Sequence, residues 1–509
     1  MSSTPVLPPN SFGNRVRMAV FWRSGTQIFS QLVQWGVTIL VVRLLDPRDY
    51  GLFAMTEVVT VMFNFLSGYS FASALIRAES VDTLRIRQTF GLLILLNGGL
   101  ALAQFLTAPM AAAYFHQPMV AQMLRWQALI YLTVPFIALP SALLARQLDF
   151  KKQAITNVLA ALSAAAAAFT CAMLGWGVWT LVAAPIIALT VRAIALTVAA
   201  RLLVWPSFNF RGTREIIRFG SALLLAQFFW IIQSKADITI AGRVLDPHAL
   251  GLYSEALFLT MIFSAKFIPP LNEVAFPSYA ELSKSGGAVG PAFITAAKLT
   301  MALALPLYLG LAAVAEPLIA TLFGPKWMAM VPLVQPLALA MPFWSLQLMF
   351  FPATNALGLP EIYARTNALG ALILATCFLI GIHWGVTGLV CGWMIATPTM
   401  LVATATLSLP AMQTNARALA AALMPSLLAA IAMATTVHFA GQMLGGVPQA
   451  AKLAALVTLG AASYVGLLLV FAREELGELV MLVTQRRLPG TTGTARSLIN
   501  TVKERVDSV

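Results

Sequence analysis

Charge is scarce in this chain, and so are the residue types that build enzyme centres. Of 509 residues 10% are charged, four are histidine and three are cysteine, whereas 59% are apolar. Each scarcity excludes something. Cys171, Cys377 and Cys391 all fall inside long apolar runs, where three thiols offer neither a disulfide framework nor a zinc site. His116, His248, His383 and His438 stand in four separate places without ligand spacing, so no metal is expected. No glycine-rich phosphate loop ending in Lys-Ser or Lys-Thr is present, so the chain cannot power itself with ATP; G-x-S-x-G and H-E-x-x-H are missing too. The connecting segments are too short for a soluble catalytic domain. The expectation is a protein that is not an enzyme and carries no cofactor.

What is abundant is long apolar sequence. Runs long enough to cross a bilayer core of about 30 Å recur as far as residue 472. They predict an all-α polytopic membrane protein of about 14 transmembrane helices. The spans fall near 18–42, 51–76, 88–112, 123–145, 154–175, 179–201, 217–241, 251–276, 293–315, 329–352, 364–383, 386–408, 419–440 and 451–472. The first is not a signal peptide, because it is too long, contains Arg23 and is followed by no small-residue cleavage site. A net charge of +13 invites a nucleic-acid reading, but its distribution opposes one. With an even number of spans both termini lie on one side, and twenty-two of the 32 basic residues fall there against six on the other. The remaining four, Arg23, Arg192, Lys235 and Lys266, lie within spans. That bias places both termini in the cytoplasm.

The chain also repeats itself. Arg43-Leu44-Leu45-Asp46-Pro47, followed by Gly51-Leu52, returns as Arg243-Val244-Leu245-Asp246-Pro247, followed by Gly251-Leu252. Pro109 and Phe115 match Pro317 and Phe323, and Pro135-Phe136 matches Pro342-Phe343. Trp176-Gly177-Val178 with Leu181-Val182 matches Trp384-Gly385-Val386 with Leu389-Val390. Four pairs in one order indicate a parallel duplication, the usual construction of secondary transporters. The expected organisation is a cytoplasmic N-terminus (1–17), an N-lobe of six spans (18–205), a cytoplasmic linker (206–216), a C-lobe of six spans (217–408), two further helices (419–472) and an amphipathic tail (473–509). The tail is expected to lie on the membrane surface. Each Asp-Pro reads as a helix start, the Asp capping free N–H groups and the Pro tolerated in the first turn. Pro269-Pro270 is expected to interrupt the eighth span and to mark a cavity wall.

Ionisable and amide groups inside lipid are costly, so those that remain tend to face a cavity or a partner. In the first span Arg23, Gln27, Gln31, Gln34 and Thr38 share one helical face, as Glu57, Thr60, Asn64 and Ser67 do in the second. The seventh carries Gln227, Trp230, Ser234 and Asp237, with Lys235 on a different face; the eighth carries Glu255, Lys266 and Glu273. Two pairs of repeat mates with polar faces imply a central cleft between the lobes. Arg23 either faces that cleft or snorkels to the headgroups. Lys235 and Asp237 are interhelical partners or ligand contacts. Lys266 lies roughly 20 Å from one end of its span and roughly 15 Å from the other, and either serves the cavity or pairs with Glu255 or Glu57. Arg192, in the sixth span, has no polar stripe, and an ion pair or lateral contact is its default.

The block from Arg43 to Pro47 and on through Tyr50-Gly51-Leu52 resembles the start of Wzx-type polysaccharide flippases. So does Phe323-Gly324-Pro325-Lys326-Trp327 with Pro332 and Gln335, and so does Arg146-Gln147-Leu148-Asp149-Phe150-Lys151. The likeness is to the colanic-acid exporter branch, within the multidrug/oligosaccharidyl-lipid/polysaccharide (MOP/MATE) superfamily. It implies two pseudo-symmetric six-helix lobes plus two C-terminal helices and a V-shaped cleft that opens alternately to each side. It implies as substrate an oligosaccharide repeat unit on undecaprenyl diphosphate. The flippase would carry it from the cytoplasmic to the periplasmic leaflet of the bacterial inner membrane, for exopolysaccharide, capsule or O-antigen synthesis. By position in the cleft, Arg23, Lys266 and Lys235 would meet the diphosphate, and Gln27, Gln31, Gln34, Asn64, Gln227 and Trp230 the glycan. Glu57, Asp237, Glu255 and Arg192 would serve coupling or ion pairing. Membrane lipid, a polymerase and a chain-length regulator are the implied partners, and nucleic acid is not. The rival is an ion-coupled multidrug exporter of the same superfamily, which would use Glu57, Asp237 and Glu255 instead.

Overall fold

The computed structural model describes residues 26, 29–67, 82–146, 149–201, 204–209 and 233–471, and all regular structure among them is helical. In chain order the helices are α1 (Phe29–Leu44), α2 (Pro47–Phe65), α3 (Thr83–Phe115), α4 (Pro118–Gln127), α5 (Leu129–Arg146), α6 (Phe150–Met173) and α7 (Trp179–Ala199). They continue with α8 (233–244), α9 (Pro247–Lys284), α10 (Val289–Leu322), α11 (Val331–Leu348), α12 (Phe350–Ala356), α13 (Pro360–Gly381), α14 (Gly385–Ser408), α15 (Ala416–Met443) and α16 (Gln449–Phe471). Ten helical stretches among the described residues are long and apolar enough to cross a membrane. The all-helical membrane fold is therefore as expected, while the count of fourteen is not reached by these ten. One of them, Pro360–Ser408, is a hairpin of two helices, α13 and α14, whose Gly381 and Gly388 meet backbone to backbone.

The duplication is written into local geometry. Asp46 is extended, accepts the Arg48 N–H at 3.1 Å, and gives its own N–H to Asp49 at 3.1 Å, a capping box that starts α2 with Pro47 in the first turn. Asp246 repeats the cap, accepting from the His248 and Ala249 N–H groups at 2.9 and 3.1 Å. Gly177 and Gly385, the centres of the two Trp-Gly-Val copies, both adopt positive φ, 52° and 65°, a backbone state open to glycine. The Trp beside each is exposed, Trp176 before α7 and Trp384 before α14, as aromatic side chains at a membrane interface are.

Packing divides the chain into two compact units, 1–251 and 252–508. In the first, α3 packs on α4 and α5, α5 on α7, and α6 on α7. Phe90, Leu93, Val134, Ala138, Leu139 and Ala142 form one core, and Ile137, Leu144, Ala193 and Leu196 another. Part of the expected linker lies along the start of α3, where the Ser207 N–H donates to the Arg87 carbonyl at 2.8 Å and Gln88 Nε2 to the Asn209 carbonyl at 2.8 Å. By sequence repeat α8 belongs to the second half, whereas by packing it is grouped with the first unit. In the second unit α10 is the hub, packed on α11, α15 and α16. The Tyr464 hydroxyl on α16 donates to the Ala302 carbonyl of α10 at 2.7 Å.

One expectation needs correction. Pro269-Pro270 does not interrupt its helix, because α9 runs unbroken through both and through Pro277 to Lys284. Each Pro removes one N–H, which frees a single carbonyl four residues earlier, and a long helix tolerates that loss.

Candidate functional site

Arg23, Gln27, Gln227 and Trp230 lie outside the described residues. Gln31 is half-buried and Gln34 exposed on α1, on the shared face that the spacing predicts. Asn64 is exposed near the end of α2 and accepts from the Ser67 hydroxyl at 3.3 Å. Asp237 is buried on α8, Glu255 is half-buried on α9, and each has an interaction partner. Arg192 is half-buried on α7 with its Nε enclosed and making no hydrogen bond among the described residues.

Glu57, expected as a partner for Lys266 or as a coupling group, is paired with Lys235. Lys235 Nζ on α8 lies 3.3 Å from Glu57 Oε2 on α2. Helix α8 extends to residue 244, so Lys235 lies about 14 Å from its end by helical rise. Lys266 makes no ion pair among the described residues and is exposed. It lies close to the middle of α9, about 28 Å from the start and about 27 Å from the end. Pro269 and Pro270 relieve the carbonyls of Ala265 and Lys266 of their usual helical partners. A cation and two carbonyls that lack their usual N–H donors thus share one stretch of α9.

The seam between α2 and α8 continues upward from the Lys235–Glu57 pair. Gly242 lets α8 approach closely, since a Cβ there would meet the Phe115 ring at 2.9 Å and the Met55 side chain at 3.3 Å. The Tyr114 hydroxyl donates to the Thr239 carbonyl at 3.3 Å, and the Arg243 guanidinium sits 5.0 Å from the Tyr114 ring centroid. At the top, the two repeat motifs cross: Gly51 abuts the Pro247 carbonyl and Gly251 abuts the Pro47 carbonyl. His248 Nδ1 stands 3.5 Å from Asp46 Oδ1. The sequence alone gives His248 no role, marks Phe115 and Arg243 only as repeat positions, and does not single out Tyr114. The available signal was the motif itself, in which position 48 holds Arg in one copy and position 248 holds His in the other.

Helix α2 is also held by α4 and α5. Thr60 donates to Gln127 Oε1 at 2.9 Å, and Gln127 Nε2 donates to the Thr56 hydroxyl at 3.1 Å. The Tyr131 hydroxyl lies 3.1 Å from the Thr60 carbonyl and 2.9 Å from Gln104 Oε1, donating to either. Glu57 is therefore presented by a braced helix. In the first turn of α2, before the apolar run, burial pushes the Asp49 carboxyl up, and the neighbouring Asp46 carboxylate adds to that rise. The Asp46 and Val178 N–H groups oppose it.

The fold is similar to that of lipid II flippase MurJ in an inward closed conformation, with a TM-score of 0.73, 12% identity, and coverage of 90% of this chain and 100% of that one. It is also similar to an inward-facing multidrug resistance MATE family transporter of the MOP superfamily, with a TM-score of 0.58, 14% identity, and coverage of 78% and 100%. Among curated proteins, the succinoglycan biosynthesis transport protein ExoT of Rhizobium meliloti (strain 1021) is 23% identical over 66% of this chain and 67% of its own length. The teichuronic acid biosynthesis protein TuaB of Bacillus subtilis (strain 168) is 24% identical over 55% and 58%. The lipopolysaccharide biosynthesis protein WzxC of Escherichia coli (strain K12) is 22% identical over 59% and 61%. These matches span about two thirds or less of each relative. Residues 40–332, more than half of the chain, match the family model described as polysaccharide biosynthesis protein, and the chain belongs to that family.

Proposed function

We propose that this protein is a flippase that moves an oligosaccharide repeat unit, linked to undecaprenyl diphosphate, from the cytoplasmic to the periplasmic leaflet. Two lobes would give alternating access to a cationic cavity, and the product would feed exopolysaccharide, capsule or O-antigen synthesis. The observation that carries this reading is Lys266. It is a cation near the middle of a 38-residue helix, exposed, and without a carboxylate partner among the described residues. Membrane-embedded lysines are rare unless paired or used, and an anionic headgroup is the natural use. Family membership and the fold likeness to a lipid II flippase support it. The protein acts as a transporter and not as an enzyme.

An inside-negative potential of about 100 mV would contribute about 2.3 kcal/mol for each anionic charge moved outward. The diphosphate could thus be driven by the field. The multidrug-exporter reading shares the fold but needs free carboxylates to hold cationic drugs. Glu57, one of its three candidates, is already neutralised by Lys235. The finer elements of the proposal are the inner-membrane location with cytoplasmic termini, and the polymerase and chain-length regulator as partners. They rest on the basic-residue distribution and on the resemblance.

The test is charge reversal. Proteoliposomes carrying the wild type should flip a fluorescent undecaprenyl-diphosphate oligosaccharide, and Lys266→Glu, checked for folding by its melting temperature, should not. Full transport by the folded variant removes Lys266 from the mechanism.

A further inference from the structure

The Lys235–Glu57 pair is not the sole contact between α2 and α8. Above it, contacts that use no side-chain charge already hold α8 to α2 and α3, through Gly242 against Met55 and Phe115, and α2 to α9, through Gly51 and Gly251 against the Pro247 and Pro47 carbonyls. Glu57 lies about 9 Å inside the second apolar span and Lys235 about 9 Å inside the seventh, so both sit within a bilayer core of about 30 Å. An ion pair at that depth costs more than a well-packed apolar contact. It is also incompletely enclosed, with the Lys235 side chain 22% and the Glu57 side chain 46% exposed. An open, replaceable carboxylate beside a cation is the arrangement of an exchangeable counter-ion.

We propose that Lys235 is a conditional ligand for the diphosphate headgroup and that Glu57 is the internal anion which competes for it. This rests on the flippase reading. While α2 and α8 are closed, Glu57 neutralises Lys235 and no headgroup can use it. When the seam parts, Lys235 loses its carboxylate and takes the anion. When the seam recloses, Glu57 returns to Lys235 and displaces the anion, which favours release over rebinding. No bond is made or broken, and only the partner of one ammonium group changes. The brace of Gln127 and Tyr131 on α2 keeps Glu57 aimed at the seam. Asp237, the carboxylate that α8 itself carries, is buried and engaged, so it does not substitute for Glu57.

The experiment measures binding of farnesyl diphosphate, a short polyprenyl diphosphate, to the full-length protein in nanodiscs, beside flipping in proteoliposomes. Glu57→Gln removes the competitor and should tighten farnesyl diphosphate binding about tenfold, the scale of one charge-assisted hydrogen bond, while slowing flipping. Adding Lys235→Gln to Glu57→Gln should return the affinity to the wild-type level or below. A merely structural pair predicts lower melting temperatures in both variants and no tightening, and that result overturns the proposal. Should Glu57→Gln fail to fold, Glu57→Asp retains the charge with a shorter reach and should tighten binding by a smaller factor; unchanged affinity there also overturns it. A wild type that flips the lipid-linked oligosaccharide while Glu57→Gln shows no tightening sinks this inference alone. A wild type that neither flips nor binds sinks the flippase reading with it.

Discussion

Gly51 and Gly251, equivalent residues of the two sequence repeats, each press a bare Cα against the carbonyl of the proline that opens the other's helix, Pro247 and Pro47. The contact is reciprocal, and a Cβ on either glycine would collide with backbone that cannot swing aside. Gly51→Ala and Gly251→Ala should each destabilise the closed crossing by about 1–3 kcal/mol, as overpacking does. The double variant should cost less than the two single costs together, because both glycines serve one contact. Melting temperatures of the purified protein check this, and additive losses would show that the two contacts are independent.

Asp49 introduces a pH dependence with a definite sign. Burial raises its carboxyl above the ordinary 3.8, so the folded chain binds a proton more readily there than the unfolded chain does. Stability from this group is therefore greatest at low pH and falls as pH climbs through the interval just above 3.8. Asp49→Asn keeps an oxygen to accept the Asp46 N–H and removes the titration. Melting curves collected across the acid range should lose that component of their slope in the variant; an identical slope would assign it to other groups.

Much of this organisation was legible in the sequence because it rests on residues with few substitutes. Asp before Pro at a helix start, Gly at positive φ in Trp-Gly-Val, and Gly at a backbone crossing are local requirements, and their recurrence exposed the duplication. Apolar run length likewise identified the helices without reference to their neighbours. The Lys235–Glu57 pair was not legible, because periodicity states which face a residue occupies on its own helix and not which helix lies opposite. The grouping of α8 with the first unit was missed for the same reason. Sequence halves record a duplication, whereas packing follows which helices bury most surface against one another.

The polar brace behind α2 should be measurable by deletion. Tyr131→Phe removes a hydroxyl that reaches the Thr60 carbonyl and Gln104, and should cost about 1 kcal/mol. Gln127→Leu strips partners from both Thr56 and Thr60 inside the protein and should cost about 1–3 kcal/mol. If the brace serves to aim Glu57, both variants should also slow flipping more than a comparably destabilising change in the α5–α7 core, such as Ile137→Val. Equal slowing in all three would reduce the brace to a stability element.

The Phe-Gly-Pro-Lys-Trp motif makes the last prediction. Gly324 adopts φ 94°, Pro325 opens a short 3-10 turn, and Trp327 is thereby delivered into the second unit with no exposed surface, edge-on to Phe323 at 5.8 Å between ring centroids. Trp327→Ala should cost about 3–5 kcal/mol, a large share of the about 5–15 kcal/mol by which folded proteins are stable. Little full-length protein should then accumulate in membranes. Trp327→Phe preserves an aromatic contact with Phe323 and should accumulate to an intermediate level. Gly324→Ala forces a side chain into a positive-φ, extended-ψ region that is essentially open to glycine alone and should lower the melting temperature without touching the ring, at a cost of about 1–3 kcal/mol. The order wild type, Gly324→Ala, Trp327→Ala in melting temperature tests the motif as a packing anchor. Normal accumulation of Trp327→Ala would mean that the indole contributes nothing to holding the turn against the second unit.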